Sequence, residues 1–264
     1  MDTQLLEEFR LDWRLSGRAH RTVDMYINDI VKFLDSSPQV TMTEAKAWLM
    51  STDSPTVRRK RGQALRAFGS WCRQNGIEEL LWMCSVPLAI EPVNPQPTVC
   101  ESDYLAALKA VTTIRDRAAI ELLWSCGLRR GELSALNAGD VDLVGGFVVV
   151  RKSKTGQPRI APLSPSASQA VRKLLRGHSG GALLGMSSNA IRLMLHRIGA
   201  PSAHAWRRGW AVRSLRSGVS ETSLKAAAGW SSGAMVSRYT NALRDEVAIE
   251  EFSRSWMIFP NPQR

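Results

Sequence analysis

Between Val86 and Val99 the chain reads Val-Pro-Leu-Ala-Ile-Glu-Pro-Val-Asn-Pro-Gln-Pro-Thr-Val, with four prolines and no helical periodicity. Proline fixes φ and removes a backbone donor, so this stretch can neither continue a helix nor join the interior of a sheet. It is held extended. Self-contained helical patterns lie on both sides, so it reads as a linker over residues 86–100 between two domains, residues 1–85 and 101–264. With 264 residues, each has the length to bury a core of its own.

The first domain reads as helical throughout. Leu5, Phe9 and Trp13 recur every four residues with Leu6 beside them, predicting a helix over 4–15 that ends at Ser16-Gly17. A second runs through Met25, Ile27, Ile30, Phe33 and Leu34 and closes before Ser37-Pro38. Thr41 and Glu44 have the form of a capping box for a third. Ser54 with Pro55 opens a fourth, reaching about Asn75-Gly76, with Leu65, Phe68 and Trp71 facing a core. Its start carries Arg58, Arg59, Lys60 and Arg61, a seat for backbone phosphates, although a solvated basic face explains the run equally well.

Charge narrows the partner. The formal net charge is +11, and most of the excess lies in the second half: residues 1–85 hold 12 Lys+Arg against 11 Asp+Glu, residues 86–264 hold 23 against 13. Nucleic acid is the commonest partner for such a domain. No apolar run approaches the length of a membrane span, and the first residues lack the basic and apolar regions of a signal peptide, so a cytoplasmic, DNA-associated protein is expected, with no membrane partner. Cys72, Cys84, Cys100 and Cys126 lack metal-site spacing and are expected as buried thiols.

In the second domain Ser102 is expected to cap a helix through Leu105 and Leu108, and another runs from about Thr113 to Ser125. Gly127-Leu-Arg129-Arg130-Gly-Glu132-Leu is a turn feeding a helix on which Glu132 lies one turn after Arg129, close enough for a carboxylate to orient a guanidinium. Phe147–Arg151 and Arg159–Leu163 flank Lys152-Ser-Lys154-Thr-Gly-Gln and read as two strands of a hairpin. Helices follow over 166–176 and 187–198. The stretch 204–239 then reads as three short helices. It carries His204 and Arg207, three apart on one helical face and able to meet a single anion together, then Gly229-Trp230, then Tyr239. His20, His178 and His196 fall on no motif and are expected to be structural.

The order Gly-Leu-Arg, hairpin lysine, His-x-x-Arg, Gly-Trp and Tyr resembles the tyrosine recombinases, the phage integrase family. The resemblance covers about residues 1–257 and is specific in the second domain. It implies a mainly α, two-domain fold: an N-terminal helical core-binding (SAM-like) bundle and a C-terminal mixed α/β catalytic domain with a small antiparallel sheet. Matching positions give Arg129 and Arg207 as the catalytic arginines, supported by Glu132, and Lys154 as the acid that protonates the departing 5′ oxygen, with Lys152 the nearby competitor. They give His204 a part in proton transfer and Tyr239 the role of nucleophile. Trp230 stands where histidine is commoner in the family; its indole can donate one hydrogen bond but cannot shuttle a proton. Arg208, where a second histidine is often found, is a further departure.

By the same resemblance the partners are double-stranded DNA with inverted core-type half-sites and a homotetramer passing through a Holliday junction, with an accessory DNA-bending protein compatible. No cofactor and no metal ion are implied. The chain begins directly with core-binding helices, which fits a compact phage or mobile-element integrase; a chromosome or plasmid dimer resolution recombinase is the alternative. A type IB-like topoisomerase and a catalytically silent DNA-binding regulator fit less well. Near the end, Ala248, Ile249, Phe252 and Trp256 form an apolar stripe expected to dock on its own domain or on a neighbouring protomer.

Overall fold

The computed structural model describes residues 3–37, 39–90, 97–151, 158–177 and 180–230, together with Gly233, Ile249 and Phe252. The chain forms two compact units, Met1–Asn94 and Pro95–Arg264. It is mainly helical, with one three-stranded antiparallel sheet among the described residues. Among the same residues no helix is long and apolar enough to cross a membrane.

In the first unit, α1 (Thr3–Leu15), α2 (His20–Ser36), α3 (Met42–Met50) and α4 (Pro55–Gln74) surround an aromatic centre. Phe9 lies edge-on to Phe68 at 5.1 Å and to Trp71 at 5.6 Å between ring centroids, and the Trp71 indole donates to Asp12 at 2.8 Å. Ser54 caps α4 by accepting from the Val57 N–H, with Pro55 at the first helical position. The Thr41 box closes on one side alone: Thr41 accepts from the Glu44 N–H at 3.4 Å, but the Glu44 carboxylate turns to the Gln39 N–H at 3.2 Å. A 3₁₀ segment, Glu78–Ser85, packs its Leu80 and Met83 into the same core and has no counterpart in the sequence reading.

The 86–100 stretch is attached to its own unit at each end. Val86 is buried in the first core, and Arg66 and Arg59 of α4 donate to the carbonyls of Val86 and Ala89 at 2.5 and 2.9 Å. Val99 belongs to the second core and pairs with the Ala205 carbonyl at 3.3 Å.

The second unit is built on α6 (Ile114–Cys126), apolar on most of its circumference and buried accordingly. Around it lie α5 (Glu101–Ala110), α7 (Arg130–Ala135), α8 (Pro165–Leu175), α9 (Ser188–Arg197), α10 (Ala203–Arg216) and α11 (Glu221–Ala228). The cap of α5 is Cys100, not Ser102: Asp103, at the third helical position, accepts from the Cys100 N–H at 2.9 Å, so Ser102 falls inside the first turn. Cys100 is therefore exposed and Cys84 half-buried, while Cys72 and Cys126 are buried as expected. Within 204–239 the structure describes α10 and α11 and, beyond Trp230, Gly233 alone, which is helical, so the third helix expected there lies almost wholly outside the described residues.

The sheet has the order β1 (Val141–Asp142), β2 (Phe147–Val150), β3 (Arg159–Pro162). Its register pairs Val148 with Ala161 and Val150 with Arg159. All four of these side chains are buried, so the period of two that turns Ala161 inward turns Arg159 inward as well.

Candidate active site

The site begins where α6 stops. Gly127 takes the left-handed conformation, φ 55° and ψ 35°, which reverses the chain after Cys126. Trp210 of α10 packs on the bare Cα: an added Cβ would lie 2.2 Å from the ring. That close approach brings the Gly127 carbonyl to Arg207, one turn earlier on α10, whose Nη1 donates to it at 2.6 Å. The Arg207 Nη2 donates at 2.6 Å to the carbonyl of Ala228, the last residue of α11. Its guanidinium also lies 5.3 Å from the centre of the buried Trp230 ring.

Two residues beyond Gly127, Arg129 caps α7, and Glu132 on the first turn gathers the surrounding cations. The Glu132 Oε1 accepts from Arg129 Nη1 at 2.7 Å and from Arg159 Nη1 at 2.9 Å. Its Oε2 accepts from the Arg129 backbone N–H and from Arg159 Nη2, both at 2.7 Å. Arg207 Nη1 stands 4.0 Å from the same oxygen. The neighbouring Arg130 takes no part and donates instead to Ser188 at 2.8 Å. Burial alone would push the Glu132 carboxyl up, but hydrogen bonds from Arg159 and from the Arg129 N–H outweigh it and bring the pKa down to about 2.

The exposure of these groups is graded. The side chains of Glu132, Arg159 and Arg207 are 3%, 5% and 3% exposed, while that of Arg129 is 20% exposed. His204 lies one turn before Arg207 on α10 and is exposed. Desolvation of the ring against α10 and its neighbours, then the charges of Arg208, Arg207, Arg129 and Arg130, lower its pKa below the usual 6.5 although the residue keeps an exposed face. The imidazole is thus held neutral among cations, in the form that accepts a proton. Arg208 itself donates to the Pro97 carbonyl at 2.9 Å.

The structure thus gathers Arg129 and Arg207 around the Glu132 carboxylate, with Trp230 against Arg207 and His204 one turn away. Lys154, its competitor Lys152 and Tyr239 lie outside the described residues. Of the basic run on α4, Arg58 donates to the Thr52 and Asp53 carbonyls, Arg59 to Ala89, and Arg61 to Trp48 while lying 4.6 Å over its ring. Lys60 is exposed. Three of the four cations expected on a phosphate seat therefore also hold carbonyls of their own unit.

The residue that sequence reasoning missed is Arg159. It forks onto both oxygens of Glu132, and its Nε donates at 2.8 Å to the Ala227 carbonyl of α11. Gly229, left-handed at φ 63°, leaves room for it: a Cβ there would lie 2.8 Å from the Arg159 Cδ. The signal was the strand alternation, which puts Arg159 on the inward face with Ala161, where a charge must have a partner.

Residues 99–246, more than half of the chain, match the family described as the phage integrase family. The tyrosine recombinase XerA of Pyrococcus horikoshii is 25% identical over 183 residues, 67% of this chain and 61% of the relative, so the match spans less than two thirds of that relative's length. XerA of Saccharolobus solfataricus is 23% identical over 254 residues, covering 89% of this chain and 87% of the relative. XerC of Chlorobaculum parvum is 40% identical over a shorter 97 residues, 37% of this chain and 26% of the relative. Among solved structures, a lambda integrase (75–356) dimer bound to a COC′ core site superposes with a TM-score of 0.76 at 18% identity, covering 89% of this chain and 94% of that one. The architecture is therefore that of lambda integrase, and by the family match the chain belongs to the phage integrase family.

Proposed function

We propose that this protein is a site-specific recombinase that cuts and rejoins DNA strands through a 3′-phosphotyrosyl intermediate. The observation that carries the reading is the cluster of Arg129, Arg159 and Arg207 on the single buried carboxylate of Glu132. Among the described residues one carboxylate faces three guanidinium groups, a balance suited to an anion. A phosphodiester passing through a pentacovalent transition state spreads negative charge over its non-bridging oxygens, and fixed guanidinium groups stabilise that charge without reorganising.

In this mechanism the Tyr239 oxygen attacks phosphorus, the P–O5′ bond breaks, and a 3′-phosphotyrosine and a free 5′ hydroxyl form. His204, neutral beside the arginines, takes the phenolic proton, and Lys154 protonates the departing oxygen. Attack by a 5′ hydroxyl from the partner duplex reverses the chemistry and releases the tyrosine. The ester energy is conserved. Trp230 packs beside Arg207 and supplies shape to the pocket where a histidine would also supply a proton. We further propose double-stranded DNA as the partner, with Lys60 at the start of α4 among its phosphate contacts, and a tetramer as the assembly. Lambda integrase has been solved as a tetramer bound to a Holliday junction, with a TM-score of 0.75 to this chain.

The compact integrase role is the first reading of the biology. Resolution of chromosome or plasmid dimers is the second, favoured by the Xer recombinases among the relatives, one of which spans 89% of this chain. The test of the chemistry is Tyr239→Phe on a nicked suicide duplex. The variant is expected to bind half-sites as the parent does and to form no covalent adduct. An adduct formed by the Phe variant, or mapped to Tyr26 or Tyr104, would overturn the assignment.

A further inference from the structure

Arg159 bonds Glu132, which holds Arg129, and the end of α11, whose next carbonyl holds Arg207, yet it is placed where it cannot touch DNA. Its side chain is 5% exposed, and Nε, Nη1 and Nη2 all donate to acceptors of the protein itself. We propose that Arg159 is a positioning residue for the phosphate site: it locks Glu132, and through Glu132 sets Arg129, while tying both to the end of α11. The inference rests on the phosphodiester chemistry proposed above.

The geometry gives the reason. Each oxygen of Glu132 takes one hydrogen bond from Arg129 and one from Arg159. Arg129 is the more exposed of the two, and an arginine side chain held by a single freely rotating carboxylate would sample many orientations. The planar fork of Arg159 removes the rotation of Glu132, leaving it one plane in which to receive Arg129. Arg159 is in turn fixed by the Ala227 carbonyl, and the next carbonyl, Ala228, receives Arg207. The end of α11 therefore sets the positions of Arg129 and Arg207 together, one through Arg159 and Glu132, the other directly.

A buried guanidinium is an expensive way to fill this position. Ionised groups taken out of water cost several kcal/mol each, and an apolar side chain facing Val150 would pack on the inward face of β3 without that penalty. Gly229 adds a second constraint, since any side chain there would press on the arginine stem. Both features make sense if the position of Glu132, rather than the packing of the strand, is what Arg159 serves.

The test compares the full chain with Arg159→Met and Arg159→Lys, measuring covalent adduct formation on nicked suicide duplexes. One duplex carries an ordinary scissile phosphodiester, and a second carries a methylphosphonate there, in which a methyl group replaces one non-bridging oxygen and removes the charge that the arginines meet. Because misplacing a catalytic group by about 1 Å can slow a reaction about 100-fold, Arg159→Met is expected to lose about that factor on the phosphodiester and to fall within about tenfold of the parent on the methylphosphonate. Arg159→Lys, which keeps a cation but loses the fork, should lie between them on the phosphodiester. Equal losses on both substrates would mean a purely structural role and overturn the proposal, as would parental rates in Arg159→Met. Rescue by a 5′-bridging sulfur but not by the methylphosphonate would place the defect at the leaving group and also overturn it. Circular dichroism and non-covalent half-site binding establish that each variant is folded; if Arg159→Met is not, the Lys variant carries the same comparison. A parent protein that forms no adduct on the phosphodiester refutes the chemistry itself, a separate result.

Discussion

Replacing Glu132 by Gln tests whether one carboxylate organises the site. The two side chains have the same shape, so the change removes charge and one acceptor oxygen while leaving the packing in place. Glu132 accepts four hydrogen bonds, all from arginine groups. Glutamine keeps one carbonyl oxygen and turns an amide donor toward a guanidinium. With hydrogen bonds to a charged group at about 1.5–3 kcal/mol each, loss of two gives about 3–6 kcal/mol. Proton linkage gives an independent figure. The Glu132 pKa falls from 4.5 to about 2, and at about 1.4 kcal/mol per unit the folded state gains about 3 kcal/mol from the ionised form. Breaking a buried ion pair from one side costs about 3–5 kcal/mol, which overlaps both figures.

The sign of the pH dependence follows from the same shift. A carboxyl depressed in the folded state contributes fully above its unfolded pKa and loses the contribution as pH falls toward the folded value. The parent should therefore outlast Glu132→Gln by the full margin at pH 7, and the gap should close between about pH 4.5 and 2. Urea unfolding followed by tryptophan fluorescence reads this. Because the chain forms two compact units, two transitions are expected, and only that of Pro95–Arg264 should move. A shift below about 1 kcal/mol at neutral pH, or a gap that stays constant down to pH 2, would refute the reasoning. The double variant Glu132→Gln with Arg159→Met should cost less than the sum of the single changes, since it removes the charge that the first change leaves unpaired.

Three other outcomes are expected. Cleavage of a suicide duplex should proceed in excess EDTA without nucleotide, because guanidinium groups supply the charge that metal ions supply elsewhere; a strict divalent requirement in the cleavage step refutes this. Single-turnover cleavage should decline only below about pH 6.5, as the depressed His204 takes up a proton, and His204→Gln should abolish that acidic limb; an identical pH profile in the variant removes His204 from proton transfer. Deleting residues 246–264, where Ile249 and Phe252 are 66% and 60% exposed, should leave half-site binding intact and impair tetramer formation on a full site, as native electrophoresis would show; normal assembly of the truncated protein argues against docking on a neighbour.

Much of the fold was legible because it depends on local spacing. The helices of the first unit follow from an apolar residue every three or four positions and from caps whose chemistry acts within one turn, as at Thr41 and Ser54. The misplaced cap of α5 had a local signal too: Asp103 stands three residues after Cys100, but a thiol is an unusual cap and Ser102 drew the reading instead. Strand β1 has two residues, too few for alternation to appear. The Arg129–Glu132 pair was readable at helical spacing, whereas Arg159 reaches Glu132 across 27 residues and Ala227 across 68, separations that no local pattern encodes. In the sequence it looks like one more surface cation beside Arg151, Lys152 and Lys154. The basic run on α4 was legible as charge, but charge alone does not reveal that Arg58, Arg59 and Arg61 also have carbonyl partners within their own unit.

The choice of acceptors explains how the site can be rigid and still attract an anion. Carboxylates placed opposite each arginine would hold the guanidinium groups firmly but cancel their charge, leaving nothing for a phosphate. Here Arg207 is held by the Gly127 and Ala228 carbonyls, and Arg159 takes a third anchor from Ala227. A carbonyl fixes a donor by its dipole and neutralises none of its charge. Both alanine carbonyls belong to the C-terminal end of α11, where the last carbonyls of a helix lack partners within it and carry partial negative charge. Among the described residues Glu132 supplies the carboxylate that the three guanidinium groups share, one negative charge against three positive. Replacing the part-buried Ala227 by Asp would leave its carbonyl available and bring a carboxylate close to the cluster. If surplus charge rather than rigidity limits the reaction, the substitution should slow adduct formation on a phosphodiester more than on a methylphosphonate, and equal losses on both would refute this.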